Sequence, residues 1–392
     1  MIVAGVRTPF LRAFSDFTKM DSIALGSAAV QALLDKTHVP WGEIDSVTWG
    51  GVILPSTTVN VGREIILELG MPPTIEAHTV TRACTTSLLS ITQAAAAIER
   101  GEADVIIAGG SDSTSNAEVM MPNTLVHKAA PVLMSSKSGP LDYFKLMGQL
   151  SPRDLLPRRP AVKERSTGEL MGESAEKMAG RNGITREAQD AFAAQSHHRA
   201  AAAVASGRFA DEIAAVDTPD GKRIHADNIV RGDTSVEKLA KLRPAFAKNG
   251  TLTAGNSSSL TDGAAAVLLM SGQKAQELGF TPLAAFRSWH YGAVDPFDQL
   301  LIGPAISMPI AAQRAGMKRS DFDLIDIHEA FAAQVLSVLQ MLGSDEFAKQ
   351  RLGMASAFGA IAPEEINVHG GSVSLGHPFA ATGARMVTTM AN

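Results

Sequence analysis

Hydrophobic and polar positions alternate in two different rhythms along the first third of the chain. Residues 2–6, 46–52, 75–80 and 103–110 form short apolar or alternating runs, a pattern that predicts β-strands. Between these runs, apolar residues recur at helical spacing, as they do after Asp21, a residue typical of a helix N-cap. Strands that alternate with helices predict an α/β layered fold with a mostly parallel sheet.

The pattern changes in the middle of the chain, where prolines and mixed charges become frequent. One long, alanine-rich helix is predicted between Thr185 and Gly207. The segment also holds a basic cluster, which could contact a phosphorylated ligand or simply face solvent: Arg153, Arg158, Arg159, Lys163 and Arg165. Residues 251–270 then form a polar loop and an apolar strand that would return the chain to the first sheet.

The last third repeats features of the first. The sequence I-E-A-H at 75–78 has a counterpart in I-N-V-H at 366–369, and each predicted strand leads to a corner of small residues and then to a helix. The fold class expected is therefore α/β, with two similar halves related by a pseudo-twofold axis and an inserted loop domain. The expected divisions are residues 1–115 with 246–272, an insertion at 116–245, and a second half at 273–392 that lacks its last strands.

Composition excludes several classes of function. The formal net charge is −5 and shows no basic bias, which argues against nucleic-acid binding. No apolar run is long enough for a transmembrane segment, and the first residues resemble a strand rather than a signal peptide. A cytoplasmic location is expected, or an organelle matrix if a transit peptide was removed. One cysteine excludes an internal disulfide and a cysteine-based zinc site, so no metal is expected.

That single cysteine, Cys84, occupies the first small-residue corner. A lone cysteine is often only a small buried apolar residue. Its predicted place beside a helix N-terminus instead favours a thiolate, the nucleophilic form of cysteine. In the repeat, the matching corner carries His377, and a pseudo-twofold axis would bring the two corners together.

Six motifs together resemble one family over essentially the whole chain. They are R-T-P-F at Arg7, C-T-T-S at Cys84, M-G-E-S-A-E at Met171, A-G-N-S-S-S-L-T-D-G-A-A-A at Ala254, H-E-A-F at His328 and G-H-P-F-A-A-T-G-A-R at Gly376. The sequence resembles the thiolases, in particular the 3-ketoacyl-CoA thiolase β-subunits of fatty-acid oxidation complexes. The resemblance implies a thiolase fold and thiolytic cleavage of 3-ketoacyl-CoA.

The resemblance also implies roles for single residues. Cys84 would attack the keto carbonyl and carry the acyl group, and His377 would take the thiol proton. His328 would orient a water or donate to the thioester oxygen. For coenzyme A, a co-substrate rather than a permanent cofactor, the implied contacts are Ser258 on the pantetheine arm and Met171 and Phe331 along its channel. The implied partners are acyl-CoA, a second copy in a homodimer, and an α-subunit with hydratase and dehydrogenase activities.

One departure from the family leaves alternatives open. Thiolases carry a second cysteine, in a C-x-G loop near the C-terminus, which protonates the enolate. Here that loop and the strand that would match 103–110 are absent, so we expect either a chain that continues past Asn392 or a divergent enzyme with poor turnover. The alternative functions are a thiolase-like subunit that binds acyl-CoA without turnover, and a decarboxylating ketoacyl synthase, which uses one cysteine and two histidines.

Overall fold

A computed structural model describes residues 1–157 and 163–392. Two members of the predicted basic cluster, Arg158 and Arg159, lie outside the described residues. The chain divides into two compact units, one formed by Met1–Asn116 with Glu164–Asn392 and the other by Ala117–Lys163.

A mixed sheet with five strands in its main path forms the centre of the larger unit. Its spatial order is β1-β8-β5-β3-β4, and the short β2 pairs with β8 at one end. The bounds are β1 Ile2–Arg7, β2 Leu11–Arg12, β3 Ser46–Gly50, β4 Glu76–Val80, β5 Val105–Ser113 and β8 Thr261–Met270; a separate hairpin joins β6 Val216–Asp217 to β7 Arg223–Ile224.

Helices cover the sheet and build the rest of the unit. Two predicted N-caps are present, since the Asp21 carboxylate accepts from the N–H groups of Ile23 and Ala24, and Thr185 accepts from Ala188. None of the helices in the described part of the chain is long and apolar enough to cross a membrane. The bounds are α1 Ser22–Thr37, α2 Val61–Glu68, α3 Thr86–Glu99, α6 Met171–Asn182, α7 Arg186–Ala205, α8 Val236–Leu239, α9 Gly272–Glu277, α10 Gly303–Arg314, α11 Ala332–Leu342, α12 Asp345–Phe347, α13 Ser372–Leu375 and α14 Thr382–Ala391.

The smaller unit consists mainly of two helices, α4 Asn123–Leu133 and α5 Pro140–Gln149. Many of its large apolar side chains are exposed, among them Met134, Leu141, Phe144 and Met147.

The alternation of strands and helices predicted a mostly parallel sheet, and this prediction is wrong. Strand β3 pairs in parallel with β4 and β5, but β8 pairs antiparallel with both β1 and β5. All ten residues of β8 are buried, so this late strand fills the middle of a sheet begun by the first residues of the chain. The apolar run at its centre predicted the strand, whereas its direction depends on the long connection that precedes it.

The strand predicted for residues 366–369 does not form. Between segments 320–327 and 366–369, the backbone pairing of the described residues is limited to a single bridge between Ile325 and Ile366. Asn367 has φ 52°, which turns the chain away after that bridge. Its side-chain amide also bonds both the N–H and the C=O of Ile327, at 2.7 and 2.8 Å. A side chain thus takes up the backbone groups that a strand ladder would use.

The end of β1 is fixed by a buried ion cluster around Arg7. Its guanidinium bonds both carboxylate oxygens of Asp227, at 2.7 and 2.9 Å, and one oxygen of Glu212 at 3.3 Å. All three side chains are at most 2 % exposed. These two carboxylates raise the pKa of Arg7 although its burial opposes the charge.

We expect Arg7→Met to lower the free energy of unfolding by about 3–5 kcal/mol, because two buried carboxylates lose their counter-ion. The midpoint of urea unfolding measures this loss. Arg100→Met is the matched control, since the ion pair of Arg100 with Glu102 lies on the surface and its loss should shift the midpoint little. Equal midpoints for the two variants would contradict the prediction.

Candidate active site

Cys84 lies on a tight corner between β4 and α3. The preceding Ala83 has φ 45°, a left-handed conformation that is strained for a residue with a Cβ and is held by the surrounding contacts. Thr86 holds the corner, because its hydroxyl accepts from the N–H of Arg82 at 2.7 Å and donates to the carbonyl of Ala83 at 2.6 Å. The predicted strand–corner–helix arrangement is therefore confirmed, and Cys84 at its tip is a partly buried residue.

His377 comes from the matching corner in the second half of the chain. Gly376 before it has φ 98°, and the N–H of His377 donates to the Thr261 hydroxyl at 3.0 Å, which ties this corner to the start of β8. The imidazole Nδ1 lies 2.6 Å from the Thr382 hydroxyl, and Nε2 lies 3.1 Å from the Cys84 sulfur. The two corners therefore meet, as the internal repeat predicted.

His328 brings a second imidazole to the same point. Its Nδ1 lies 2.9 Å from the Ser372 hydroxyl, which in turn accepts from the guanidinium of Arg385 at 3.4 Å. The ring centroids of His328 and His377 are 4.2 Å apart. Nε2 of His328 is buried, and no described residue forms a hydrogen bond with it. One ligand atom each from Cys84, His328 and His377 lies within 4.8 Å of the others.

Burial leaves all three groups uncharged at neutral pH. The pKa of the Cys84 thiol is raised to about 11, chiefly by burial and to a smaller extent by the charge of Asp112. The pKa of His328 is lowered to about 3, chiefly by burial and to a smaller extent by the charge of Arg385. Burial also lowers the pKa of His377 well below its ordinary value. The resting thiolate expected from the helix N-terminus is therefore wrong, because desolvation outweighs the helix dipole. A neutral thiol next to a neutral imidazole needs that imidazole as its base.

Asp112, near the end of β5, is a residue of the site that was not predicted from the sequence. This buried carboxylate accepts from the N–H groups of Val52 and Ile53 after β3, at 3.0 and 2.7 Å, and from Ala380 in the His377 corner at 2.7 Å. Burial raises the pKa of Asp112 to about 7, although those backbone N–H groups oppose the shift. One signal was available: a polar G-G-S-D-S run that ends an apolar strand, at the edge where sites form in α/β folds.

For Asp112→Asn we expect the Cys84 pKa to fall, because a nearby negative charge is removed, and thiolysis to weaken as the His377 corner loses an acceptor. The pH profile of iodoacetamide alkylation reports the thiol directly, since the sequence holds one cysteine. Asp45→Asn is the matched control: Asp45 also accepts two backbone N–H groups, from Asp104 and Val105 at the start of β5. A profile that moves equally in both variants would refute a specific effect of Asp112.

The three residues expected along a coenzyme A channel lie together in a second group. Met171, at the start of α6, and Phe331, before α11, share one apolar cluster, in which Phe331 packs edge-on against Phe246 at 5.7 Å between centroids. The N–H of Ser258 donates to the carbonyl of Ala330 at 3.0 Å. The segment around Ser258 pairs with Phe331 at residue 257 and with His377 at residue 260, so it connects this group to the two corners.

The site therefore combines a thiol, a base that faces it, and a second imidazole with a nitrogen that is unpaired among the described residues. These are the groups that an acyl-transferring enzyme needs. The comparisons with known proteins agree. Residues 1–273 match the thiolase N-terminal domain and residues 280–392 the thiolase C-terminal domain. The chain belongs to the thiolase family.

The alignments with similar proteins span nearly all of this chain and about nine tenths of each relative. The chain is 45% identical to a 3-ketoacyl-CoA thiolase of Escherichia coli and 44% identical to one of Citrobacter koseri, in each case over 99% of this chain and 89% of the relative. Among solved structures, acetyl-CoA acetyltransferase of Bacillus anthracis has a TM-score of 0.84 at 30% identity, and human mitochondrial 3-ketoacyl-CoA thiolase in complex with CoA has 0.83 at 29%. Each covers 100% of this chain and 90% of the solved one. The predicted thiolase fold is confirmed.

Proposed function

We propose that this protein cleaves 3-ketoacyl-CoA with coenzyme A to acetyl-CoA and a shortened acyl-CoA, a step of fatty-acid β-oxidation. One observation carries the proposal: the Cys84 sulfur lies 3.1 Å from Nε2 of a neutral His377. The names of the relatives support the same reaction and favour it over a decarboxylating synthase or a subunit without turnover.

In the first step, His377 takes the thiol proton while the Cys84 sulfur attacks the keto carbonyl. In the tautomer that this step uses, Nδ1–H of His377 donates to the Thr382 hydroxyl, 2.6 Å away, and Nε2 carries the lone pair that faces the thiol. The bond between the α- and β-carbons of the substrate breaks, and the acyl group stays on sulfur. The departing enolate takes up one proton, which balances the proton lost by Cys84, and leaves as acetyl-CoA.

In the second step, the thiol of coenzyme A attacks the acyl-enzyme, and its proton returns to Cys84. Both steps place negative charge on a thioester or keto oxygen. We assign His328 to that charge: with the Ser372 hydroxyl donating to Nδ1, Nε2 carries a proton, and it has no other partner in the described part of the chain. Burial makes such a donor more effective than it would be in water.

We expect His328→Ala to slow thiolysis by about 100- to 1,000-fold, the effect of removing one oxyanion donor. Steady-state rates with a 3-ketoacyl-CoA measure it. His328→Asn is the matched control, because its amide can still donate, and it should recover part of the rate. If the Asn variant were no faster than the Ala variant, His328 would act through something other than hydrogen-bond donation.

Ser258, Met171 and Phe331 are proposed to hold the pantetheine arm of coenzyme A. Their support is that the segment containing Ser258 runs from the apolar cluster of Phe331 to His377, which gives a path from a ligand's arm to the nucleophile. The solved human relative in complex with CoA supports coenzyme A as the ligand.

Intact mass before and after addition of acyl-CoA tests the function. An acyl adduct on the peptide that carries Cys84, removed when coenzyme A is added, is the expected result. An adduct that coenzyme A does not remove would contradict complete thiolysis, and tight binding with no adduct would instead favour a non-catalytic subunit. Release of carbon dioxide from a malonyl thioester would favour the synthase.

Organisation and partners are proposals of the same kind. We propose that residues 1–115 with 246–272 and residues 273–392 are the two thiolase halves, with 116–245 as the insertion. Among the described residues, strand β4 pairs with β3 alone and forms an edge of the sheet, which supports pairing with a second copy in a homodimer. The exposed apolar side chains of α4 and α5 support binding of an α-subunit. Light scattering alone and with such an α-subunit tests the assembly.

We also propose a cytoplasmic location, which the bacterial origin of the relatives supports.

A further inference from the structure

We propose that Cys84, His328 and His377 form an inhibitory binding site for a thiophilic divalent cation such as Zn²⁺ or Cd²⁺. The cation would bind in place of substrate and leave the fold unchanged. With one cysteine, the sequence predicted no zinc site; this site takes its other two ligands from histidines that are remote in sequence.

The spacing of the three side chains fits a tetrahedral ion. Zn²⁺ binds thiolate sulfur at about 2.3 Å and imidazole nitrogen at about 2.0 Å, so neighbouring ligand atoms lie roughly 3.3–3.6 Å apart. Here the sulfur and Nε2 of His377 are 3.1 Å apart, and the three ligand atoms all lie within 4.8 Å of one another. Shifts below about 1 Å would close the set around one ion.

The outer contacts also suit metal ligands. Histidines that bind zinc usually donate their other ring nitrogen to an oxygen, which fixes the tautomer. Nδ1 of His377 has the Thr382 hydroxyl at 2.6 Å, and Nδ1 of His328 has the Ser372 hydroxyl at 2.9 Å. Because a hydroxyl can accept as well as donate, both imidazoles can turn an Nε2 lone pair toward the sulfur.

The third observation concerns the second ring nitrogen of His328. Nε2 of His328 is buried with no partner in the described part of the chain, which costs free energy unless something binds it. A cation would take that nitrogen, the lone pair of His377 and the sulfur, while the thiol proton leaves to solvent. Cys84 and His328 are only partly buried, so a water can complete the fourth position.

The ligand set predicts which ions inhibit. Sulfur and imidazole favour Zn²⁺, Cd²⁺ and Co²⁺, whereas Mg²⁺ and Ca²⁺ require oxygen ligands. We therefore expect Zn²⁺ and Cd²⁺ to abolish thiolysis reversibly, with recovery on addition of a chelator, and Mg²⁺ or Ca²⁺ at the same concentration to change nothing.

Co²⁺ titration of the unmodified protein tests the site without an activity assay. We expect a sulfur-to-cobalt charge-transfer absorption at one ion per chain, and its loss after alkylation with iodoacetamide, which can modify only one cysteine. Cobalt that binds without this absorption, or equally well after alkylation, would overturn the proposal even if thiolysis is confirmed.

Two variants locate the nitrogen ligands. His328→Ala should weaken Co²⁺ binding by about 100-fold, since even an outer contact of a metal ligand contributes about 10- to 100-fold. His78→Ala, which removes an exposed histidine of β4, is the matched control and should bind Co²⁺ as the unmodified protein does. Circular dichroism verifies that both variants fold. Equal affinity of the His328→Ala variant and the unmodified protein would exclude His328 as a ligand.

Discussion

Replacing Cys84 with alanine is expected to reduce thiolysis by at least about 10,000-fold and to abolish the acyl adduct. The reason is that the sulfur supplies a step that no other group can take over: the sequence has no second cysteine. Removal of an enzyme's covalent nucleophile typically leaves only the catalysis that binding and oxyanion donors provide. Steady-state thiolysis and intact mass after addition of acyl-CoA measure the two effects.

Cys84→Ser is the informative companion to that variant. The hydroxyl keeps the size and the contact with His377 but is a weaker nucleophile, so a slow adduct at residue 84 is the expected outcome. Coenzyme A binding by either variant should stay close to that of the unmodified protein, because the proposed channel residues are unchanged. Thiolysis that persists in the alanine variant would remove Cys84 from the mechanism.

Replacing His377 with alanine should slow acylation of Cys84 by about 100- to 10,000-fold, the usual contribution of a positioned base. The effect is expected to be large because burial and the charge of Asp112 raise the pKa of the Cys84 thiol to about 11, so little thiolate forms without an acceptor for the proton. Single-turnover acylation at neutral pH is the direct measurement.

Thr382→Val provides the matched comparison. It leaves the imidazole in place but removes the hydroxyl that lies 2.6 Å from Nδ1. A smaller loss is expected, together with slower alkylation of Cys84 by iodoacetamide in the His377 variant than in the Thr382 variant. Alkylation as fast without His377 as with it would contradict the proton transfer proposed for this pair.

The local features of the fold were predictable because neighbouring residues determine them. The N-caps at Asp21 and Thr185, the helix that follows Cys84 and the apolar strand in 251–270 depend on spacing and on residue type alone. The antiparallel pairing of β8 depends on contacts across some 260 residues, which periodicity cannot report. The failed strand at 366–369 has one cause that spacing hides, the left-handed Asn367.

The candidate site divides in the same way. Cys84 and His377 could be found from their corners and from the repeat, and His328 from the family resemblance. The G-G-S-D-S run marks the place of Asp112, but its role could not be predicted, because its effect comes from backbone groups of two separate segments that converge on a buried carboxylate. The neutral state of the thiol was also beyond reach, since it follows from burial, which only the folded chain determines.

The pairing of β1 with β8 sets an order of events during synthesis. Ile2 lies opposite Leu269, so β1 lacks its neighbour in the sheet until residue 269 has been synthesised; before then the described residues offer it a bridge from Arg7 to Ile213. At about 5–20 residues per second, that wait is roughly 13–50 s. Throughout it, a strand whose six residues are all buried in the finished protein remains open to other nascent chains. Strands β3, β4 and β5 can assemble first, so the ribosome-bound chain needs protection from aggregation chiefly at β1.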